Sequence, residues 1–82
     1  MYYVYILVGA ERNKSYVGMT SKDPIERLKE HNQGSNDWTR RNGPFILKYY
    51  ESFICKKDAL RRELFLKSGV GNKLKSIIVK YF

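Results

Sequence analysis

Seven consecutive residues near the start of the chain, Tyr2-Tyr3-Val4-Tyr5-Ile6-Leu7-Val8, restrict its fold more than any other stretch. They are aromatic or branched, with little polar alternation, so they predict a strand at the centre of a sheet. The rest of the structure must be built around that strand from 82 residues. That length predicts one domain spanning residues 1–82, with a core only just sufficient for stability.

The remaining elements follow from local signals. Gly9 to Lys14 is polar and carries Gly and Asn, which suits a hairpin loop, and Ser15-Tyr16-Val17-Gly18-Met19-Thr20 reads as the returning strand. Asp23 is placed as an N-cap, with Pro24 at the first helical position and Glu26 completing a capping-box pattern; Gly34 is a natural terminator. Residues 32–44 read as a polar connection containing Trp38-Thr39-Arg40-Arg41. Phe45 to Phe53 predicts a third strand, and Lys57 to Lys67 a helix closed by Ser68-Gly69. Leu74, Ile77, Ile78 and Tyr81 repeat at helical spacing and predict an amphipathic last helix turned toward the core. The expected class is α+β: a small, three-stranded, antiparallel-rich sheet flanked by helices in the order β-β-α-β-α-α.

Sixteen Lys and Arg against eight Asp and Glu give a net charge of +8. On so small a body that charge points to a polyanionic partner, either nucleic acid or an anionic membrane surface. Most of the excess lies after residue 50, where eight basic side chains face three acidic ones. A solvated, Lys-rich helix face would account for it. Trp38 beside Arg40 and Arg41 favours nucleic acid instead, since an aromatic next to two guanidiniums suits stacking and phosphate contact. Cys55 is the one cysteine, which excludes a disulfide scaffold and fits a reducing compartment. With His31 the one histidine, a four-ligand zinc site is excluded too. The apolar opening stops at Gly9, lacks a basic flank and is far short of the ~20 residues of a membrane span, so the expected setting is cytoplasmic.

Four features bear on chemistry. Placed at about 100° per residue, Glu63 falls inside the apolar arc formed by Leu66, Ala59, Leu60 and Leu64, whereas Arg61 and Arg62 fall elsewhere on the helix. A carboxylate on a buried face needs a cation, either a Lys or Arg from another element or a divalent metal. Tyr3, Tyr5 and Leu7 share one face of the first strand, and Tyr16, Gly18 and Thr20 one face of the second, so Tyr5 and Tyr16 become direct or diagonal neighbours. Plain aromatic packing explains that pair equally, although Gly18 leaves room beside Tyr5 for a ligand or another backbone. Arg27 and His31 share a helix face bordering the core stripe of Ile25 and Leu28. They suit a phosphate clamp and a proton carrier, or are two ordinary surface residues. Finally, the eight acidic residues form no tight cluster, and no phosphate-binding glycine motif is present. A phosphodiesterase built from these parts would use one metal on one carboxylate.

Taken in order, Tyr3-Val4-Tyr5, Tyr16-Val17-Gly18, Arg27, His31 and Glu63 resemble the GIY-YIG nuclease domain. The likeness is to its small stand-alone members, related to the nuclease module of nucleotide-excision repair. It extends through His31-Asn32, Thr39-Arg40-Arg41, Pro44 and Tyr50-Glu51, and departs in having Tyr3-Val4-Tyr5 where Gly-Ile-Tyr names the family. The resemblance implies a DNA endonuclease, linked to DNA repair, with Tyr5, Tyr16, Arg27, His31 and Glu63 as catalytic residues. It implies one Mg²⁺ or Mn²⁺ on Glu63 and a tyrosine, Tyr5 by preference, that orients or deprotonates water after its pKa is lowered by nearby positive charge. Trp38, Arg40, Arg41 and Asn72 are the expected nucleic-acid contacts, Asn72 standing for the family asparagine. The implied partner is DNA, duplex or branched, with no membrane, and a homodimer or partner protein would allow both strands to be cut. The alternatives are a non-catalytic nucleic-acid-binding module that kept the fold, and a basic interaction or membrane-surface protein.

Overall fold

The computed structural model describes residues 1–11, 14–34 and 36–82; residues 12 and 13 of the expected hairpin loop, and residue 35 of the polar connection, lie outside them. The elements are β1 (Tyr2–Gly9), β2 (Ser15–Thr20), α1 (Pro24–Asn32), α2 (Asp37–Asn42), β3 (Phe45–Phe53), α3 (Lys56–Lys67) and α4 (Gly69–Tyr81). This is the expected order with one addition: the polar connection holds the six-residue helix α2. The sheet runs β2-β1-β3, antiparallel throughout, so the apolar opening strand is central as its composition requires.

Both faces of β1 are covered. Val4 and Ile6, with Val17, meet Ala59, Leu66 and Ile78 from α3 and α4. Tyr5 and Leu7 point the other way, into a layer with Phe45, Leu47, Tyr16 and Leu28 of α1. An irregularity in the β1–β3 pairing shapes this second layer. Ile6 faces Tyr49 while Leu7 faces Leu47, leaving Lys48 as an extra residue in β3. One inserted residue reverses side-chain alternation beyond it, which puts Leu47 and Phe45 on the face of Tyr5.

Local chemistry fixes the helix ends. The Asp23 carboxylate accepts from the Ile25 N–H at 2.8 Å, with Pro24 at the start of α1. Beyond α1, Gly34 takes φ +89°, a conformation that glycine adopts without strain. The Asn36 side chain caps α2 by accepting from the Thr39 N–H at 2.9 Å. Arg62 of α3 forks onto Glu51 of β3 at 2.8 and 2.9 Å, and the Tyr49 hydroxyl donates to the same carboxylate at 2.7 Å, binding α3 to the sheet.

Two helices are rotated from their sequence-based orientation. In α4, Leu74, Ile78 and Val79 face the core, whereas Ile77 and Tyr81 are exposed. In α3, Ala59 and Leu66 are fully buried but Leu60 and Leu64 are exposed. α3 packs on both the sheet and α4, whereas α4 rests mainly on α3 and only lightly on the sheet, so these tertiary contacts, and not the apolar pattern within each helix, set which residues turn inward. Among the described residues, no helix is long and apolar enough to cross a membrane.

Candidate active site

The hairpin register sets the site. Tyr5 pairs with Gly18 and Leu7 with Tyr16, making Tyr5 and Tyr16 diagonal neighbours with ring centroids 6.3 Å apart. The space above Gly18 is filled by the end of the Tyr5 ring, and a Cβ there would overlap the Tyr5 hydroxyl. Replacing Gly18 with alanine should therefore push Tyr5 off its position. We expect a stability loss of about 1–3 kcal/mol in urea denaturation, as for overpacked cores. An unchanged midpoint would show that Tyr5 yields freely.

His31 comes into this layer from the end of α1. Its place at the border of the core stripe is exceeded: it is 0% exposed, while Leu28 packs on the Tyr5–Leu7–Phe45 layer and Ile25 is turned to solvent. The helix rotates because His31 finds polar partners inside. Its Nε2 lies 2.8 Å from the Tyr5 hydroxyl, and its Nδ1 lies 3.1 Å from Oγ1 of Thr39 on α2. Its ring also packs 4.9 Å from that of Tyr16. Thr39 in turn reaches the carbonyl and side-chain oxygens of Asn36 at 3.2 and 3.3 Å, and the Asn36 amide approaches the Tyr16 hydroxyl at 3.5 Å. Thr39 and Asn36 belong to the network but escaped assignment from sequence. The one available signal was Asn36 three residues before Thr39, the spacing of a helix cap.

Arg27, one turn before His31, donates to Glu30 at 2.8 Å and hydrogen-bonds the Tyr5 hydroxyl as well. Lys22 closes on the other Glu30 oxygen at 2.6 Å, and these two bonds hold the Glu30 carboxyl below its ordinary pKa. Burial pushes Tyr5 up to about 12, against the pull of Arg27, and the charges of Tyr16 and Glu63 add to the rise. The lowering expected for Tyr5 is thus the reverse of what the protein groups themselves produce, because desolvation outweighs one guanidinium. Burial, reinforced by Arg27, also holds His31 below its usual value, which keeps the ring neutral near pH 7.

Glu63 is half-buried, its side chain 17% exposed, and it contributes to the field at Tyr5 from α3. The cation it requires is present as Lys67 at 3.5 Å, one turn along its own helix rather than on another element. Among the described residues no three of His, Cys, Asp and Glu gather to hold a metal. A lone, loosely paired carboxylate nevertheless suits a hard ion that keeps most of its shell as water and phosphate oxygen, which is how Mg²⁺ is commonly held.

The expected nucleic-acid contacts divide. The Trp38 ring lies 5.7 Å from that of Tyr16 and stacks on Phe45 at 5.8 Å, so an exposed aromatic borders the cluster. Arg40 pairs with Asp37, and Arg41 is exposed on the same short helix. Asn72 is exposed in the first turn of α4 and makes no hydrogen bond to Tyr5, Tyr16, Arg27, His31 or Glu63.

Comparison with known proteins covers the same ground. The family model of the GIY-YIG catalytic domain matches residues 1–75. A UPF0213 protein of Clostridium perfringens is 37% identical over 79 residues, covering 95% of this chain and 83% of its own. One from Staphylococcus haemolyticus is 37% identical over 78 residues, covering 93% of each, and one from Halobacterium salinarum 37% identical over 68 residues, covering 82% and 86%. No solved structure matches. Since the matched span runs from β1 past Glu63 and takes in the whole polar cluster, the chain belongs to the GIY-YIG catalytic-domain family.

Proposed function

We propose that the chain is a divalent-metal-dependent DNA endonuclease that hydrolyses phosphodiester bonds with one ion. The observation carrying this reading is that His31 and Arg27 of α1 both bond the Tyr5 hydroxyl of β1, which also lies in the field of Glu63 from α3. Purely structural packing gives no reason to bring an imidazole and a guanidinium to one phenol.

Glu63 would hold the Mg²⁺ or Mn²⁺, which when bound polarises the scissile phosphate and stabilises the departing oxygen. Arg27 would turn its N–H fork to the phosphoryl oxygens as charge builds there. Tyr5 would orient the attacking water or, by passing on its own hydroxyl proton, take one from it. Tyr16 and His31 position water and phosphate around it. Trp38, Arg40 and Arg41 extend the contact along the DNA, with Asn72 a peripheral contact on α4. The substrate is duplex or branched DNA in a cytoplasmic repair setting, and cutting both strands calls for a second copy, a partner protein or two successive nicks.

One observation favours the rival reading of a binding module without turnover: Tyr5 is only 1% exposed, so its oxygen is nearly closed to water. The two readings separate when plasmid, single-stranded and branched DNA are incubated with Mg²⁺, with Mn²⁺ and with a chelator. We expect cleavage in either metal and none in the chelator. Binding that persists while every substrate stays intact would establish the module instead. Affinity should fall steeply with added salt, because the contacts offered are mainly to phosphate. A flat salt response would contradict a phosphate-dominated interface.

A further inference from the structure

The buried polar chain running inward from Tyr5 has its proton directions set from its two ends together. The Asn36 backbone carbonyl can only accept. The Asn36 side-chain oxygen is marked as such by the Thr39 N–H that donates to it at 2.9 Å, so it too only accepts. The single hydroxyl proton of Thr39 can turn to either oxygen, at 3.2 Å to the carbonyl and 3.3 Å to the side chain. At the near end Arg27 can only donate to the Tyr5 oxygen, so the Tyr5 proton needs Nε2 of His31 as its acceptor. With the Thr39 proton on Asn36, Oγ1 offers a lone pair to His31 at 3.1 Å and Nδ1 carries the hydrogen. A neutral imidazole has one N–H. Its Nε2 then presents a lone pair to Tyr5 at 2.8 Å, and the Tyr5 hydroxyl donates. His31 and Thr39 are fully buried, and no buried side-chain polar atom among the described residues lacks a partner, so the His31–Thr39 contact needs no water between its atoms.

We propose that Thr39 is a positioning residue: it holds His31 in the Nδ1–H tautomer, so that Nε2 takes the Tyr5 proton as the Tyr5 oxygen takes one from the attacking water. The inference rests on the nuclease reading above. In this step an O–H bond of water breaks and a new one forms on Tyr5, while the original Tyr5 O–H breaks and Nε2–H forms. Tyr5 ends neutral, His31 ends as imidazolium, and the hydroxide goes to phosphorus. No free phenolate is needed, which removes the difficulty posed by a tyrosine that burial makes weakly acidic. The opposite tautomer would place Nε2–H against the Tyr5 oxygen, and the relay would have no acceptor.

The test uses the full chain and its single histidine, whose ring nitrogens can be read without assignment ambiguity. Nitrogen-15 NMR near neutral pH should show the Nδ1–H tautomer in the wild type. Thr39→Ser keeps the hydroxyl and should preserve that tautomer. Thr39→Val keeps the shape and loses the acceptor, and it should shift the ring toward Nε2–H. In DNA cleavage we expect Thr39→Val to lower kcat about tenfold or more, with KM within about twofold, and Thr39→Ser to restore most of the rate. An Nε2–H wild type overturns the proposal without any variant, and so does a Thr39→Val protein with both tautomer and kcat unchanged. If the wild type cuts no DNA, the nuclease reading fails on its own, and the wild-type and Thr39→Val spectra still decide whether Thr39 sets the tautomer.

Discussion

Replacing Glu63 with glutamine should reduce Mg²⁺- and Mn²⁺-dependent DNA cleavage by about a hundredfold or more, with the fold and DNA binding retained. Glutamine matches glutamate in size, so nothing is overpacked or emptied on the α3 surface. Glu63 pairs with Lys67 at 3.5 Å, and that lysine is half exposed and stays solvated when the charge goes. What disappears is the one carboxylate in the cluster suited to an ion. Binding should hold or strengthen slightly, because a negative charge has been removed from a surface that meets a polyanion. The measurements are plasmid nicking beside a thermal melt and a DNA titration. Cleavage at the wild-type rate would take Glu63 out of the site and leave the metal without a ligand.

Arg27→Ala should come next in size, a loss of roughly 10²–10³ in kcat, as when a transition-state donor is deleted. Its partners explain why the fold should tolerate the change. Arg27 bonds Glu30, and Glu30 keeps a second cation in Lys22 at 2.6 Å, so no carboxylate is left alone. Tyr5 loses a hydrogen bond but keeps His31. Arg27→Lys preserves charge without the fork and should fall between wild type and alanine. A melting temperature within a few degrees of wild type would show that the rate loss is chemical. Normal cleavage by the alanine variant would exclude Arg27 from the reaction.

Strongly local signals carried much of this protein in plain view. The unbroken apolar run made β1 central, and Asp23-Pro24 marked the start of α1. Tyr5, Tyr16, Arg27 and His31 stand together because the spacing of a hairpin and one helical turn places them there. What stayed hidden depended on neighbours. The helix α2 has only six residues, mostly polar, and it is held by the Asn36 cap and by Thr39 reaching His31, a contact eight residues distant in sequence. His31 reads as a surface residue until Tyr5 and Thr39 are present to satisfy both of its nitrogens. The outward turn of Leu60, Leu64 and Ile77 reflects how α3 and α4 pack on the sheet and on each other, which no pattern within one helix encodes.

β1 is shared by two layers, with consequences that alternate along it. Val4 and Ile6 are spent on the aliphatic core under α3 and α4, while Tyr5 between them belongs to the polar cluster under α1 and α2. Neighbouring positions on one strand thus answer to different demands, one set by the aliphatic core and the next, on the nuclease reading, by the chemistry. Drift at Tyr5 would leave the aliphatic core under α3 and α4 untouched but would disturb the Leu7–Phe45 layer it packs in. On the nuclease reading, the chemistry cannot be lost there without a local loss of packing.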